Sequence, residues 1–209
     1  MRLRITFSKS GTLRYAGHLD LHVVWERTVR RARLPLSYTQ GFHPGPKIQI
    51  ASALPLGFSG RNEIVDIWLD STSPDPHSAN LLQAAAPPGL GILSVDEVDE
   101  HDPALQTQVT SAEYEATLLD PLDPKDLAER VTRLLDTATL PRQRRGKPYD
   151  LRPLIEILQL QPFADTAAPV LFMRLSARDG ATGRPEEVLD YLGIPFETTR
   201  IERTRLILR

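Results

Sequence analysis

The chain has 209 residues, with 25 Lys/Arg against 27 Asp/Glu and a formal charge of −2. That is room for one good-sized domain or two small ones, with the composition of an ordinary globule. It contains no cysteine, which excludes a thiolate-ligated iron–sulfur cluster, a cysteine-type zinc site, a cysteine nucleophile and any disulfide.

At the N-terminus Leu3, Ile5 and Phe7 alternate with Arg2, Arg4 and Thr6, the period of a half-buried strand and not of a secretory signal. Residues 18–34 read as a helix ended by Pro35, with Leu21, Val24, Trp25, Thr28 and Ala32 on one side and Arg27, Arg30 and Arg31 on another. A Gly/Pro-dense loop follows, Gly41-Phe-His-Pro-Gly-Pro-Lys47. Strands are predicted at 48–54 and 63–69 around a turn at 55–60, then a helix at 76–86 and a strand at 90–98. The order is βαββαβ, the ferredoxin-like arrangement of an antiparallel sheet with two helices on one face.

Residues 97–108 are polar and acidic and read as a linker. A second round follows: a strand at 114–119, and a helix at 123–138 with Asp123 as N-cap and Pro124 at its first position. Strands at 153–160 and 170–176, a helix at 185–192 capped by Gly193, and a strand at 202–208 complete it. The expected fold is therefore α+β, with two tandem ferredoxin-like domains at residues 1–98 and 109–209. The alternative is a single α+β domain with an extra layer. No apolar run reaches bilayer-spanning length, so a cytoplasmic location without membrane association is expected.

Charge is segregated along the chain. Residues 1–35 hold eight Lys/Arg against two Asp/Glu, whereas residues 59–140 hold four against sixteen. A concentrated basic face meets phosphates or an acidic partner more often than interspersed charge does. The candidate nucleic-acid-binding residues are accordingly Lys9, Arg14, His18, Arg27, Arg30 and Arg31, with Arg2 and Arg4 flanking them. In the Gly/Pro loop, Phe42 and His43 could stack on bases and Lys47 could meet a phosphate; a core plug by Phe42 is the alternative. A second basic cluster, Arg142, Arg144, Arg145 and Lys147, reads as a loop because of Gly146 and Pro148 and is a further nucleic-acid-binding candidate, free to wrap a polyanion; a solvated connector is the alternative. The acidic run 96–102 reads as solvated linker.

His18 and His22 have the four-residue spacing of paired metal ligands, but no third ligand is evident, so neither metal nor cofactor is expected. No catalytic residue is assigned: phosphate-loop, dinucleotide and nucleophile-elbow motifs are missing from the sequence.

Several motifs taken together resemble the radical-SAM-linked protein family: Gly11-Thr-Leu-Arg-Tyr15, His18-Leu-Asp-Leu21, Glu26 through Pro35, the Gly41–Lys47 loop, Ala53-Leu-Pro-Leu-Gly57, Tyr149-Asp-Leu-Arg-Pro153 and Arg184 through Gly193. The resemblance implies a radical-SAM protein as partner, which would supply the chemistry that a cysteine-free chain lacks. The family's loop pattern places Asn-Pro-His-Pro after Gly-Phe, whereas this chain has His43-Pro-Gly-Pro46, so a catalytic histidine there is not carried over. A looser, fold-level similarity is to repeat-associated RNA-processing proteins. The expectation is an accessory RNA-binding protein that presents a substrate to a radical-SAM enzyme. A protein–protein adaptor docking on that enzyme is the alternative, and a metal-independent ribonuclease using His18 with Tyr15 or Lys47 is a third reading.

Overall fold

A computed structural model describes residues 1–71, 76–161 and 168–209. The chain divides into two compact units, residues 1–109 with Arg209, and residues 110–208. Both are mixed α+β with antiparallel strand pairing.

In the first unit β1 (Arg2–Lys9) turns its alternate residues Leu3, Ile5 and Phe7 into the core. A short 3-10 turn, Gly11–Tyr15, leads to α1 (His18–Arg31). Helix α1 packs through Leu21, Trp25, Thr28 and Val29, with the Trp25 ring edge-on to Phe7 at 4.9 Å. It ends earlier than the pattern predicts, four residues before Pro35. The Leu34 N–H donates to the Val29 carbonyl and the Arg33 N–H to that of Arg30, and Arg33 adopts a left-handed φ of 59°. That bonding pattern terminates a helix by itself, with arginine where glycine is usual.

Strand β2 (Ile48–Ile50) is shorter than the predicted 48–54, and β3 (Ser59–Trp68) starts before the predicted 63. They are followed by α2 (Ser78–Ala85) and β4 (Leu90–Val98). The sheet order is β4-β1-β3-β2, antiparallel at each step.

The segment expected as a linker, 97–108, is instead folded onto this unit. Its short helix α3 (Leu105–Gln108) buries Leu105 fully, and the Leu105 N–H donates to the Gln49 side chain at 3.1 Å. The carbonyls of Asp102 and Pro103 accept from the Arg2 guanidinium at 2.7 and 3.1 Å. Hydropathy cannot see this, because the segment is held by backbone carbonyls, one leucine and the polar side chains of Glu100, which pairs with the N-terminal amine, and Gln108, which donates to the Pro103 carbonyl.

The second unit contains β5 (Val109–Leu118), from its second residue on, and α4 (Pro124–Asp136). Asp123 caps α4, accepting from the Lys125 N–H at 3.0 Å, and Leu127, Val131 and Leu134 face inward. Residues 142–147, predicted as a loop, form most of a hairpin, β6 (Pro141–Arg144) and β7 (Lys147–Asp150). Arg145 and Gly146 at its tip have φ of 50° and 78°, the two positive values of a type I′ turn, the connection whose twist suits a tight hairpin.

Beyond it lie β8 (Ile155–Leu160), β9 (Val170–Arg178), the two-residue β10 (Ala181–Thr182), α5 (Pro185–Tyr191) and β11 (Thr199–Leu208). Gly193, φ 68°, closes α5, its N–H bonded to the Asp190 carbonyl while that of Ile194 bonds Leu189. The sheet runs β11-β5-β9, with β8 and β10 on the far edge of β9. Among the described residues no helix is long and apolar enough to cross a membrane.

Candidate nucleic-acid interface

The basic face predicted for the N-terminal third separates into cations used internally and cations left at the surface. Arg2 is 1% exposed and its Nε and a terminal nitrogen reach Asp66 at 2.9 and 2.6 Å. Arg4 bonds the same carboxylate at 2.9 Å, and that contact raises its pKa. The Arg2 guanidinium also covers the Trp68 ring at 4.9 Å.

Lys9 is 1% exposed and donates to the Ala16 and Arg14 carbonyls at 2.8 and 3.4 Å. As a surface phosphate contact Lys9 is therefore corrected, since a buried ammonium bonded to carbonyls cannot reach a polyanion without unfolding its surroundings; the flanking Arg2 and Arg4 are engaged instead by the buried Asp66 carboxylate. Arg14 is half-buried, donating to the Tyr15 hydroxyl at 2.6 Å and lying over that ring at 4.8 Å.

His18 is the first residue of α1. The His18-Leu-Asp20 motif resolves locally, with the Gly17 N–H bonded to the Asp20 carboxylate at 3.1 Å, which satisfies one of the helix's orphan donors. The His18 pKa is lowered, first by desolvation and then by the charge of His22, which disfavours the charged form of the ring. The His22 Nε2 lies 3.2 Å from the Ile48 carbonyl. Among the described residues no group of three His, Cys, Asp or Glu is placed to hold a metal.

Arg27, Arg30 and Arg31 are exposed. Arg30 has a loose ion pair with Glu26 at 3.7 Å, of little energetic weight at the surface; among the described residues Arg27 and Arg31 have none. The row His22, Glu26, Arg30 follows the helical i, i+4 spacing. It borders the stem of the Gly/Pro loop, because His22 meets Ile48 and the Tyr38 hydroxyl reaches Glu26 at 3.4 Å.

That stem is fixed by backbone pairing. Thr39 N–H donates to the Gly45 carbonyl at 2.8 Å, Lys47 N–H to that of Ser37 at 2.9 Å, and Tyr38 bridges Pro46. The Gly45 N–H in turn donates to the Thr39 hydroxyl at 3.0 Å. At the tip Phe42 is 101% exposed, so it plugs no core. His43 and Lys47 are exposed as well. At the foot of the loop Thr39, Pro46, Lys47, Ile48, Gln49 and Trp68 line a recess of about 400 Å³. Trp68 and Gln49 lie outside the residues singled out from sequence; a tryptophan inside an apolar strand carries no signal that its ring edges a recess.

The second cluster belongs to the second unit. Arg142 pairs with Asp190 at 2.8 Å and donates to the Glu187 carbonyl at 3.0 Å. Arg144 pairs with Glu187 at 3.0 Å and donates to the Thr182 carbonyl at 3.0 Å and the Tyr149 hydroxyl at 3.2 Å. Desolvation, and after it a hydrogen bond to Glu187, raises the Tyr149 pKa. Arg145 and Lys147 remain exposed. The hairpin thus turns two of the four predicted cations inward and leaves two outward. It also explains a resemblance motif: Asp150 accepts from the Leu140 and Arg152 N–H groups, and the Arg152 guanidinium donates to the Leu135 carbonyl, so both are structural.

A family model described as uncharacterized protein conserved in bacteria (DUF2344) matches residues 2–185. The chain belongs to that family. No curated protein matches the DUF2344 chain. Among solved structures it is similar to a chain of "Crystal Structure of a Cbf5-Nop10-Gar1 Complex", with TM-score 0.51 and 9% identity, covering 98% of this chain and 48% of that one. It is also similar to a chain of "Structure of H/ACA RNP bound to a substrate RNA containing 2'-deoxyuridine", with TM-score 0.50 and 10% identity, covering 98% and 47%. The DUF2344 chain therefore spans about half the length of the solved chains it matches. At such identity the likeness is one of fold. None of these comparisons connects the chain with a radical-SAM protein.

Proposed function

We propose that this DUF2344 protein is an accessory RNA-binding protein built from two ferredoxin-like domains, gripping single-stranded RNA with α1 and the Gly/Pro loop of its first unit. The observation that carries the reading is Phe42, a fully exposed aromatic on a loop whose stem is locked by backbone hydrogen bonds beside Arg30. An apolar ring held in water has no folding role there. Paired with nearby arginines it is the stacking-plus-cation combination that binds unpaired bases and their phosphates.

The repeated strand order, β4-β1-β3-β2 in one unit and β11-β5-β9-β8 in the other, supports the ferredoxin-like reading. The fold likeness to a chain from an RNP bound to a substrate RNA raises the expectation of RNA by analogy alone. A radical-SAM enzyme as recipient of the bound RNA rests on the motif resemblance by itself.

The test is retention of a labelled single-stranded RNA on a filter, beside variants carrying Phe42→Ala and Arg27, Arg30 and Arg31 all changed to Ala. Each should weaken retention by about tenfold or more, since base stacking on an aromatic is worth about 1–3 kcal/mol. Retention equal to that of a neutral control protein would overturn the RNA reading. A stoichiometric protein complex indifferent to added RNA would then favour the adaptor.

A further inference from the structure

In the second unit the β6–β7 hairpin and the turn between β9 and β10 enclose a recess of about 340 Å³, bordered by Arg144, Arg145, Lys147, Tyr149, Thr182 and Arg184. Four cations from two parts of the chain line it, and no carboxylate does. Arg144 is the one already neutralised: Glu187, the Thr182 carbonyl and the Tyr149 hydroxyl hold its fork in place, and its ring contact with Tyr149 is 4.8 Å. Its Nε–H is buried with no acceptor among the described residues. Arg145, Lys147 and Arg184 form no ion pair among the described residues, leaving up to three uncompensated positive charges around one small volume.

Arg145 adds a second observation. It occupies a turn position with φ of 50°, where asparagine, aspartate or glycine is the ordinary choice. A bulky L-residue there is strained, and strain of this kind concentrates where a side chain is needed for binding. Arginine at that position holds a guanidinium at the rim of the recess.

We infer that this recess binds a phosphate monoester, from a free mononucleotide or from the phosphorylated end of an RNA strand. A monoester carries about −1.5 to −2 charges at pH 7 and three acceptor oxygens, a match for three unneutralised cations with a fixed arginine fork beside them. A backbone diester carries only one charge. The volume lies at the small end of ligand sites, enough for a phosphate and part of its nucleoside. The strand-end source rests on the RNA reading above; the mononucleotide source does not.

The experiment titrates the full chain with 5′-AMP and with adenosine by calorimetry, and compares a 5′-phosphorylated with a 5′-hydroxyl RNA oligonucleotide of the same sequence. The expected result is binding of AMP and not of adenosine, weakened about tenfold each by Arg145→Gly and Arg184→Gln, because a lost charge-assisted hydrogen bond is of that order. Arg145→Gly suits the left-handed turn, so loss of binding in that variant reports the missing guanidinium and not a strained turn. Preference for the 5′-phosphorylated oligonucleotide assigns the site to strand ends. AMP binding without any RNA binding keeps the recess as a mononucleotide site and removes the RNA reading. If AMP and adenosine behave alike and the two oligonucleotides bind equally, the inference is overturned, while RNA binding through the first unit stands.

Discussion

Asp66 is buried completely and holds two arginines, one of them equally buried. Removing its charge would leave the Arg2 guanidinium buried without its ion-pair partner, its remaining contacts being neutral acceptors and the Trp68 ring. Breaking one side of a buried pair costs about 3–5 kcal/mol. Asp66→Asn is therefore expected to lower the urea midpoint strongly with little change in the denaturant slope, and equilibrium unfolding measures it. Arg4→Met should cost less, because Arg4 keeps 18% of its side-chain exposure and water can replace part of the contact.

The same residues show where charge counting stops being informative. Eight cations in the first 35 residues look like one basic face. Three of the eight, Arg2, Arg4 and Lys9, are held by partners within the fold. Asp66, 64 positions from Arg2 in sequence, makes two of those assignments, and nothing local announces it. The exposed arginines of α1 were legible because helical spacing alone separates Arg27, Arg30 and Arg31 from Leu21, Trp25 and Val29.

At the scale of elements, the helices and long strands follow from periodicity, and their ends follow from hydrogen bonding that periodicity does not encode. Helix α1 stops at Arg31 because Arg33 turns left-handed, before Pro35 can act. Arg33→Gly removes the Cβ strain of that turn and is expected to stabilise by about 0.5–1 kcal/mol. For a chain of this size that is a rise in Tm of about 2 °C, which a thermal melt detects.

From sequence the hairpin reads as a loop because Gly146 and Pro148 are loop residues by composition. Their spacing does fit a two-residue turn, but Arg145-Gly146 lacks the Asn-Gly or Asp-Gly signature that marks such turns. Arg184, 37 positions after Lys147, joins the recess through the fold alone.

On the scale of the whole molecule, a formal charge of −2 gives no long-range attraction to a polyanion. The proposed RNA association then depends on a few local cations. With Arg27, Arg30, Arg31 and Lys47 meeting about four phosphates of a single strand, log K should fall with log salt at a slope of about −3. A salt series on the native chain measures it. A slope near zero would mean that these cations do not contact phosphates.

The alternation of strand and helix patterns made the α+β class legible along the full length, while residues 97–108 misled because their polar side chains conceal a packed leucine and two carbonyls that serve Arg2. Both tryptophans, Trp25 and Trp68, lie in the first unit, and the second has none. Indole emission consequently reads the unfolding of one unit only, while far-ultraviolet dichroism reads both. Two superimposed transitions would mean that the chain melts as a single cooperative body, and two separated ones would give each unit a stability of its own.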